Sequence, residues 1–365
     1  MRVAFRADAS VAIGAGHVMR CLTLADALRE RGAECIFLSR DHAANLHEIV
    51  EARGHSILSL GGVDGVTSQN PSVIGYAHWL GVDLQRDVDD TRSRLASLHL
   101  DWLVVDHYAL DVQWEESMRP FCSRIMAIDD LADRNHSVDL LLDQNLGAVA
   151  SHYEYKVPKK CVLLLGPRYA LLRQEFVKLR IHSLFRRNKG NLYKLLITMG
   201  GVDREDVTSS VLDALELCDL QEGFAVTVVM GPSAPWIDKV IAKVERLSFP
   251  TVVLENAHNM GELMRDADLA IGGAGSTAWE RCCLGLPSLQ IVLAENQRRI
   301  ANALSQAGAA YFLDRSNLEV DLVQMMKSLA QDHMRLVRMS AAAAQVTDGQ
   351  GAERVVQYIY QGCSV

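Results

Sequence analysis

The segment Gly14-Ala15-Gly16-His17 sets a glycine-flanked histidine between a short apolar strand, Val3 to Phe5, and an amphipathic run. That run carries Val18, Cys21, Leu22, Ala25 and Leu28 along one face, as a helix would. A histidine at such a junction can project into the crevice beside the strand end. Imidazoles as a class, with a reference pKa of about 6.5, can take a proton near neutral pH, which makes His17 the candidate general base. The plainer alternative is a histidine that caps or fills the corner. Gly14 and Gly16 permit a tight turn and close ligand approach, although their spacing is not the dinucleotide GxGxxG pattern.

A second segment points to phosphate. Leu269-Ala270-Ile271 runs into Gly272-Gly273-Ala274-Gly275-Ser276-Thr277, and a helical stretch follows through Ala278, Trp279 and Glu280. Backbone amides of such a loop and of the helix start can surround a phosphate, with Ser276 and Thr277 completing the donors. Glu280 cannot neutralise phosphate, but its carboxylate can accept hydrogen bonds from a ribose hydroxyl pair. Gly200-Gly201, just past another strand, offers amides from a facing loop. Together these residues suggest a nucleoside diphosphate, against the alternative of two ordinary strand-to-helix turns with Glu280 exposed. Asn296 or Gln297, after the next strand, would bind sugar hydroxyl or amide groups or cap a helix.

The elements that must position these groups alternate between strand and helix in both halves. Strands are expected at Val3 to Phe5, Cys35 to Ser39, Trp102 to Val105, Arg124 to Ile128 and Leu140 to Leu142. Asp106-His107-Tyr108 and Asp129-Asp130 then fall at strand ends, where parallel sheets bind ligands. Adjacent residues on an extended strand point in opposite directions, so Asp129 and Asp130 need not form an acid/base pair. A restart follows the basic segment around Arg186 to Gly190, with strands at Leu192 to Thr198, Ala225 to Met230, Thr251 to Leu254, Leu269 to Ile271 and Leu289 to Val292.

The expected fold is α/β: two Rossmann-like domains whose parallel sheets face a central crevice. The first domain is assigned to 1–165, a linker region to 166–190, the second domain to 191–345, and a helix able to cross back toward the first domain to 346–365.

Composition narrows the partners. The chain has 365 residues, 49% of them hydrophobic, and 45 acidic against 37 basic residues give a formal charge of -8. No basic arm or stripe is present, so nucleic acid and anionic membranes are not expected as partners. The start lacks the apolar core of a signal peptide and no stretch is long enough to span a membrane, which points to the cytoplasm. Eight dispersed cysteines, without CxxC pairs, read as free thiols and neither as a disulfide framework nor as a zinc site. No metal or cofactor is expected, and a monomer is the default.

The stretch from Phe5 through Arg20, with Ala127 to Asp130, Asp143-Gln144-Asn145 and Gly166 to Tyr169, resembles the UDP-2,4-diacetamido-2,4,6-trideoxy-beta-L-altropyranose hydrolase family. The resemblance continues through Arg173 to Phe176, Gly200-Gly201 and Gly272 to Glu280. It implies a GT-B arrangement and a place in pseudaminic acid biosynthesis. It further implies metal-independent hydrolysis of the anomeric C1–O bond, with inversion, to free sugar and UDP. His17 corresponds to the base that activates water, the Gly272 to Thr277 loop to the diphosphate site and Glu280 to the ribose contact. Tyr76, His78, His107 and Asn296 are the sugar-side candidates. A UDP-sugar glycosyltransferase would use the same nucleotide pocket with an acceptor hydroxyl in place of water, and a non-catalytic UDP-sugar-binding protein would use it without turnover.

Overall fold

The computed structural model describes residues 1–63, 75–231 and 234–362. The chain divides into two units, Met1–Leu171 together with Gln350–Val365, and Leu172–Gly349.

The first unit opens with β1 (Arg2–Ala7), α1 (Gly16–Arg29), β2 (Glu34–Asp41), α2 (His47–Ala52) and β3 (Ser56–Gly62). It continues with α3 (Leu84–Leu95), β4 (Leu100–Asp106), α4 (Val112–Met118), β5 (Cys122–Ile128), β6 (Leu140–Asp143) and β7 (Val162–Leu165). The strands form one parallel sheet in the order β3-β2-β1-β4-β5-β6-β7.

Every residue of β1 after Arg2 is buried, and the pleat sends alternate side chains to opposite layers. Val3, Phe5 and Ala7 pack with Val18, Cys21, Leu22 and Ala25 of α1. Ala4 belongs to the other layer, with Val88 of α3 and Trp114 of α4. Arg6 is fully buried, 2.7 Å from Asp8 and 2.7 Å from Asp87. Asp87 also accepts from Arg40 at 3.0 Å and from Trp114 Nε1 at 2.9 Å. Buried charges are tolerated only when paired in this way, so the network ties α3 and α4 to the sheet.

Strand order decides where a ligand can enter. From β1 the sheet grows through β2 on one side and β4 on the other. The connections leave toward opposite layers, α1 with one core and α4 with the other. The carboxyl ends of β1 and β4 therefore flank a switch point, the place where open α/β sheets leave room for a ligand.

The second unit starts with α5 (Gln174–Arg187), β8 (Lys194–Thr198), α6 (Val207–Glu216), β9 (Ala225–Met230), α7 (Ile237–Val244) and β10 (Thr251–Glu255). Next come α8 (Met260–Asp266), β11 (Leu269–Gly273), α9 (Thr277–Cys283), β12 (Ser288–Ile291) and α10 (Arg298–Gln306). It closes with β13 (Ala310–Leu313), α11 (Leu318–Gln331) and α12 (His333–Val346). Its parallel sheet has the order β10-β9-β8-β11-β12-β13, so β8 and β11 flank the equivalent switch point. Helix α6 packs on α11, whereas α9 packs on α5 and α12.

The terminal helix α13 (Gly351–Gly362) belongs to the first unit and contacts α1, with Val355, Val356 and Ile359 wholly buried. No described helix is long and apolar enough to cross a membrane, and the described cysteines are free. The parallel α/β fold class expected from the sequence is the one observed.

Candidate functional site

His17 lies in the first turn of α1, whose N-terminus has no side-chain cap, and its side chain is almost wholly buried. Its Nδ1 is 2.6 Å from Oδ1 of Asp106, the last residue of β4. One turn along α1, Arg20 donates from Nε to Asp106 Oδ2 and from Nη2 to Oδ1, both at 2.6 Å. Burial alone would raise the Asp106 carboxyl, but the Arg20 guanidinium overrides it and holds the group far below the usual carboxylate range. An ionised Asp106 can only accept. The Nδ1 of a neutral His17 therefore carries the proton, and Nε2 keeps its lone pair. An imidazole held in this way can act as a general base.

Further contacts fix that pair. Arg20 Nη1 donates to Asp130 Oδ2 at 2.9 Å, and the Tyr108 hydroxyl donates to Asp130 Oδ1 at 2.5 Å. Asp129 turns away, accepting the Leu131 and Ala132 amides and pairing with Arg134. Trp79 stacks on Tyr108 at 5.3 Å, and both rings meet His17 edge-on, at 5.8 and 4.7 Å.

The sequence-derived candidates of the first unit separate into groups. Tyr76 joins the aromatic cluster, packing on Trp79 and Tyr108 at 4.7 and 4.9 Å. His78 is exposed, with its ring 6.4 Å from Trp79. His107 is buried, with Nδ1 accepting the Ala109 amide at 3.1 Å and Nε2 3.4 Å from Asp8. Burial pushes His107 down to about 3, so it is neutral at physiological pH. Gly14 has φ +82° and donates its amide to Ser10 at 2.8 Å, and Gly16 opens α1.

In the second unit the glycine segment begins at the end of β11. A Cβ on Gly272 would lie 2.4 Å from the Thr198 carbonyl, and one on Gly231 would lie 2.1 Å from that of Gly201. The Gly200-Gly201 turn and the Gly272 to Thr277 loop thus leave neighbouring strands under tight backbone packing. Gly273 and Gly275 approach the Gln297 side chain, whose Oε1 accepts the Leu293 amide at 3.1 Å. Ala274 is buried, Ser276 is exposed and Thr277 half-buried, and the Ser276 hydroxyl does not cap α9.

Glu280 follows one turn later, 3.4 Å from Arg173 Nη2. Burial raises its carboxyl, with Arg173 acting in the opposite sense. Asn296 falls in the turn Glu295–Gln297, and its side chain lies outside the described residues. Among the described residues no group of three or more His, Cys, Asp or Glu is arranged to hold a metal ion.

Arg20 and Trp79 were not among the expected site residues, and Asp106, Tyr108 and Asp130 were expected only as strand-end residues. The signal for Arg20 is its place three residues after His17, on the same face of α1. The signal for Asp106 is a carboxylate ending the strand that pairs with β1.

A family model for the glycosyltransferase family 28 C-terminal domain matches residues 194–355. An uncharacterized protein of Methanocaldococcus jannaschii, MJ1062, is 26% identical over 303 residues, 82% of this chain and 57% of the relative. The chain therefore spans little more than half the length of that relative. The UDP-2,4-diacetamido-2,4,6-trideoxy-beta-L-altropyranose hydrolase of Campylobacter jejuni is 25% identical over 310 residues, 84% of this chain and 97% of the relative. The crystal structure of MurG from Acinetobacter baumannii superimposes with a TM-score of 0.71 at 16% identity, covering 99% of each chain. The chain is a GT-B-fold protein related to MurG-like and UDP-sugar-acting enzymes, with two parallel-sheet α/β units.

These findings correct the expected reaction. Hydrolysis, and with it the place in pseudaminic acid biosynthesis, is overturned by the weight of transferases among the proteins of like sequence and fold. Besides MurG, they include the calicheamicin glycosyltransferase CalG4, with a TM-score of 0.66 at 13% identity over 99% of this chain and 97% of that one. They also include a UDP-N-acetylglucosamine–N-acetylmuramyl-(pentapeptide) pyrophosphoryl-undecaprenol N-acetylglucosamine transferase of Shewanella oneidensis, 34% identical over 111 residues, 29% of this chain and 31% of the relative. The physical reason is plain: a general base can take a proton from any hydroxyl, and nothing in the His17 and Asp106 pair selects water.

Proposed function

We propose that this chain is a UDP-sugar glycosyltransferase that moves a glycosyl unit from UDP to an acceptor hydroxyl with inversion at C1. The His17 and Asp106 pair at the switch point of the first sheet, an imidazole whose Nδ1 faces an ionised carboxylate, carries the assignment of the base, and the similarity to transferases supports a hydroxyl acceptor in place of water. In this reading Nε2 accepts the acceptor's proton as its oxygen attacks C1. The C1–O bond to UDP breaks on the opposite side, and the electron pair leaves on the diphosphate. The first unit supplies the base and, through Tyr76, Trp79 and Tyr108, an aromatic surface for a sugar or acceptor ring.

The second unit supplies the nucleotide site in this proposal. Gly273, Ala274, Gly275, Ser276 and Thr277 surround the diphosphate, Gly200 and Gly201 add amides from the neighbouring turn, and Glu280 accepts the ribose hydroxyls. Loop donors of this kind stabilise a departing diphosphate electrostatically. We therefore propose that the reaction proceeds without a divalent metal.

The test measures UDP release from UDP-N-acetylglucosamine and other UDP-sugars, with chelator present, with and without a panel of hydroxyl acceptors. Release that depends on an acceptor, with a new glycoside formed, is the expected result. Stoichiometric release into water alone would refute transfer, and loss of activity on chelation would refute metal independence.

A further inference from the structure

Arg281 is fully buried beneath the glycine loop, yet its hydrogen bonding is largely unfilled. Its Nη2 donates to the Gly273 carbonyl at 2.7 Å, while Nε and Nη1 have no hydrogen-bond partner. Nη1 lies 2.9 Å from where a Cβ on Gly272 would be, so the guanidinium occupies the space of the missing side chain. Gln290, in register with Gly272 on β12, is also buried, and neither its Oε1 nor its Nε2 has a partner. Among the described residues no carboxylate forms an ion pair with Arg281, and the adjacent Glu280 is engaged by Arg173.

The same unit shows what a buried arginine with a purely structural task looks like. Arg187 donates from Nε to the Leu284 carbonyl at 3.0 Å, from Nη1 to Ala267 at 2.7 Å and from Nη2 to Met264 at 2.7 Å. Carbonyl oxygens surround that cation. Arg281 has a single carbonyl, and burial lowers it to about 10, so it stays charged at neutral pH. A buried cation without a counter-ion is costly to the folded chain, and an anion seated on the loop above it would remove much of that cost.

We propose that Arg281 is a positioning residue for the nucleotide's diphosphate: it holds the Gly273 carbonyl inward and supplies, through the loop, the positive charge that the bound diphosphate compensates. The inference rests on the proposed UDP site. It assigns the charge to a side chain beneath the loop and makes Arg281 selective for the phosphates over the nucleoside.

The experiment is calorimetric titration of the full chain with UDP and with uridine, for the wild type, Arg281→Gln and Arg281→Lys. The wild type is expected to bind UDP more tightly than uridine. Arg281→Gln is expected to weaken UDP by about tenfold or more while leaving uridine unchanged, because a buried charge is lost near the phosphates. Arg281→Lys, which keeps the charge, is expected to retain most of the preference for UDP and serves as the readout if Arg281→Gln does not fold. An unchanged UDP-to-uridine ratio in Arg281→Gln, or complete loss of the preference in a folded Arg281→Lys, would overturn the inference. A wild type that binds neither ligand would instead overturn the nucleotide reading.

Discussion

Asp106 and His17 stand 89 positions apart in the chain and meet at 2.6 Å through Oδ1 and Nδ1. Parallel pairing of β1 with β4 brings their ends side by side, and α1 starts close enough to β1 for its first turn to reach across. The carboxylate fixes the imidazole tautomer, and Arg20 fixes the carboxylate.

Replacing Asp106 by Asn should therefore disable the proposed base without emptying the proposed nucleotide site. An amide that donates to Nδ1 shifts the ring proton to Nε2, where the base is needed. The expected loss is about 10²- to 10⁴-fold in kcat with little change in donor KM. Steady-state UDP release, together with UDP titration of the variant, checks both halves of the claim.

The network around Asp87 makes a stability prediction remote from the proposed chemistry. Asp87→Ala leaves Arg6 and Arg40 buried with their shared acceptor gone and strips the Trp114 indole of its partner. The cost should be about 3–5 kcal/mol, the range for breaking a buried ion pair from one side. Urea unfolding followed by tryptophan fluorescence measures it, and a shift below 1 kcal/mol would contradict the buried network.

Stability should also fall as pH rises from mildly acid to alkaline. Burial raises the Asp143 carboxyl to about 7. Burial would lower His136, but its bonds to Asp129 and Glu115 win and raise it to about 9. In both cases the folded chain holds a proton that the unfolded chain releases. The Asp143 contribution is complete below about 4 and lost toward 7, and that of His136 is complete below about 6.5 and lost toward 9. Asp106 and Asp129 act oppositely, since their lowered carboxyls cost stability as pH falls below about 4. A maximum near pH 4 is expected in thermal unfolding. Asp143→Asn should flatten the slope between pH 4 and 7, and His136→Gln that between 6.5 and 9.

Two glycines of the same loop should respond differently to alanine. At Gly272 a methyl would press on the Thr198 carbonyl, whereas at Gly275 the nearest atom is Gln297 Nε2 at 3.7 Å. Gly272→Ala is expected to lower stability by about 1–3 kcal/mol through overpacking. Gly275→Ala should leave the melting temperature unchanged and weaken UDP binding, because the methyl enters the space that the proposed function gives to phosphate. Differential scanning fluorimetry with and without UDP separates the two.

The central strands were legible because a parallel sheet buries both faces, and segments such as Trp102 to Val105 or Leu140 to Leu142 become continuous apolar runs. Three strands escaped that logic, and each lies at a sheet edge. β3 sets two serines, Ser56 and Ser59, among its apolar residues and ends in two glycines, while β7 and β13 have only four residues each. The candidate residues His17 and Gly272 to Thr277 were legible for a local reason, since glycines and a polar group interrupt apolar periodicity there. Their support was not. Arg20 reads as an ordinary helix residue until Asp106 and Asp130 arrive from 86 and 110 positions away. The reaction was not legible because a histidine in the first turn of a helix carries no mark of which hydroxyl it would activate.

Helix α13 gives the first unit an unusual order of assembly. Val355, Val356 and Ile359 complete the core that contains β1 and α1, yet the whole of Leu172–Gly349 is made before they emerge from the ribosome. Until then the nascent chain carries an open apolar seam beside its first helix. Closing that seam is the step that couples completion of one unit to synthesis of the other.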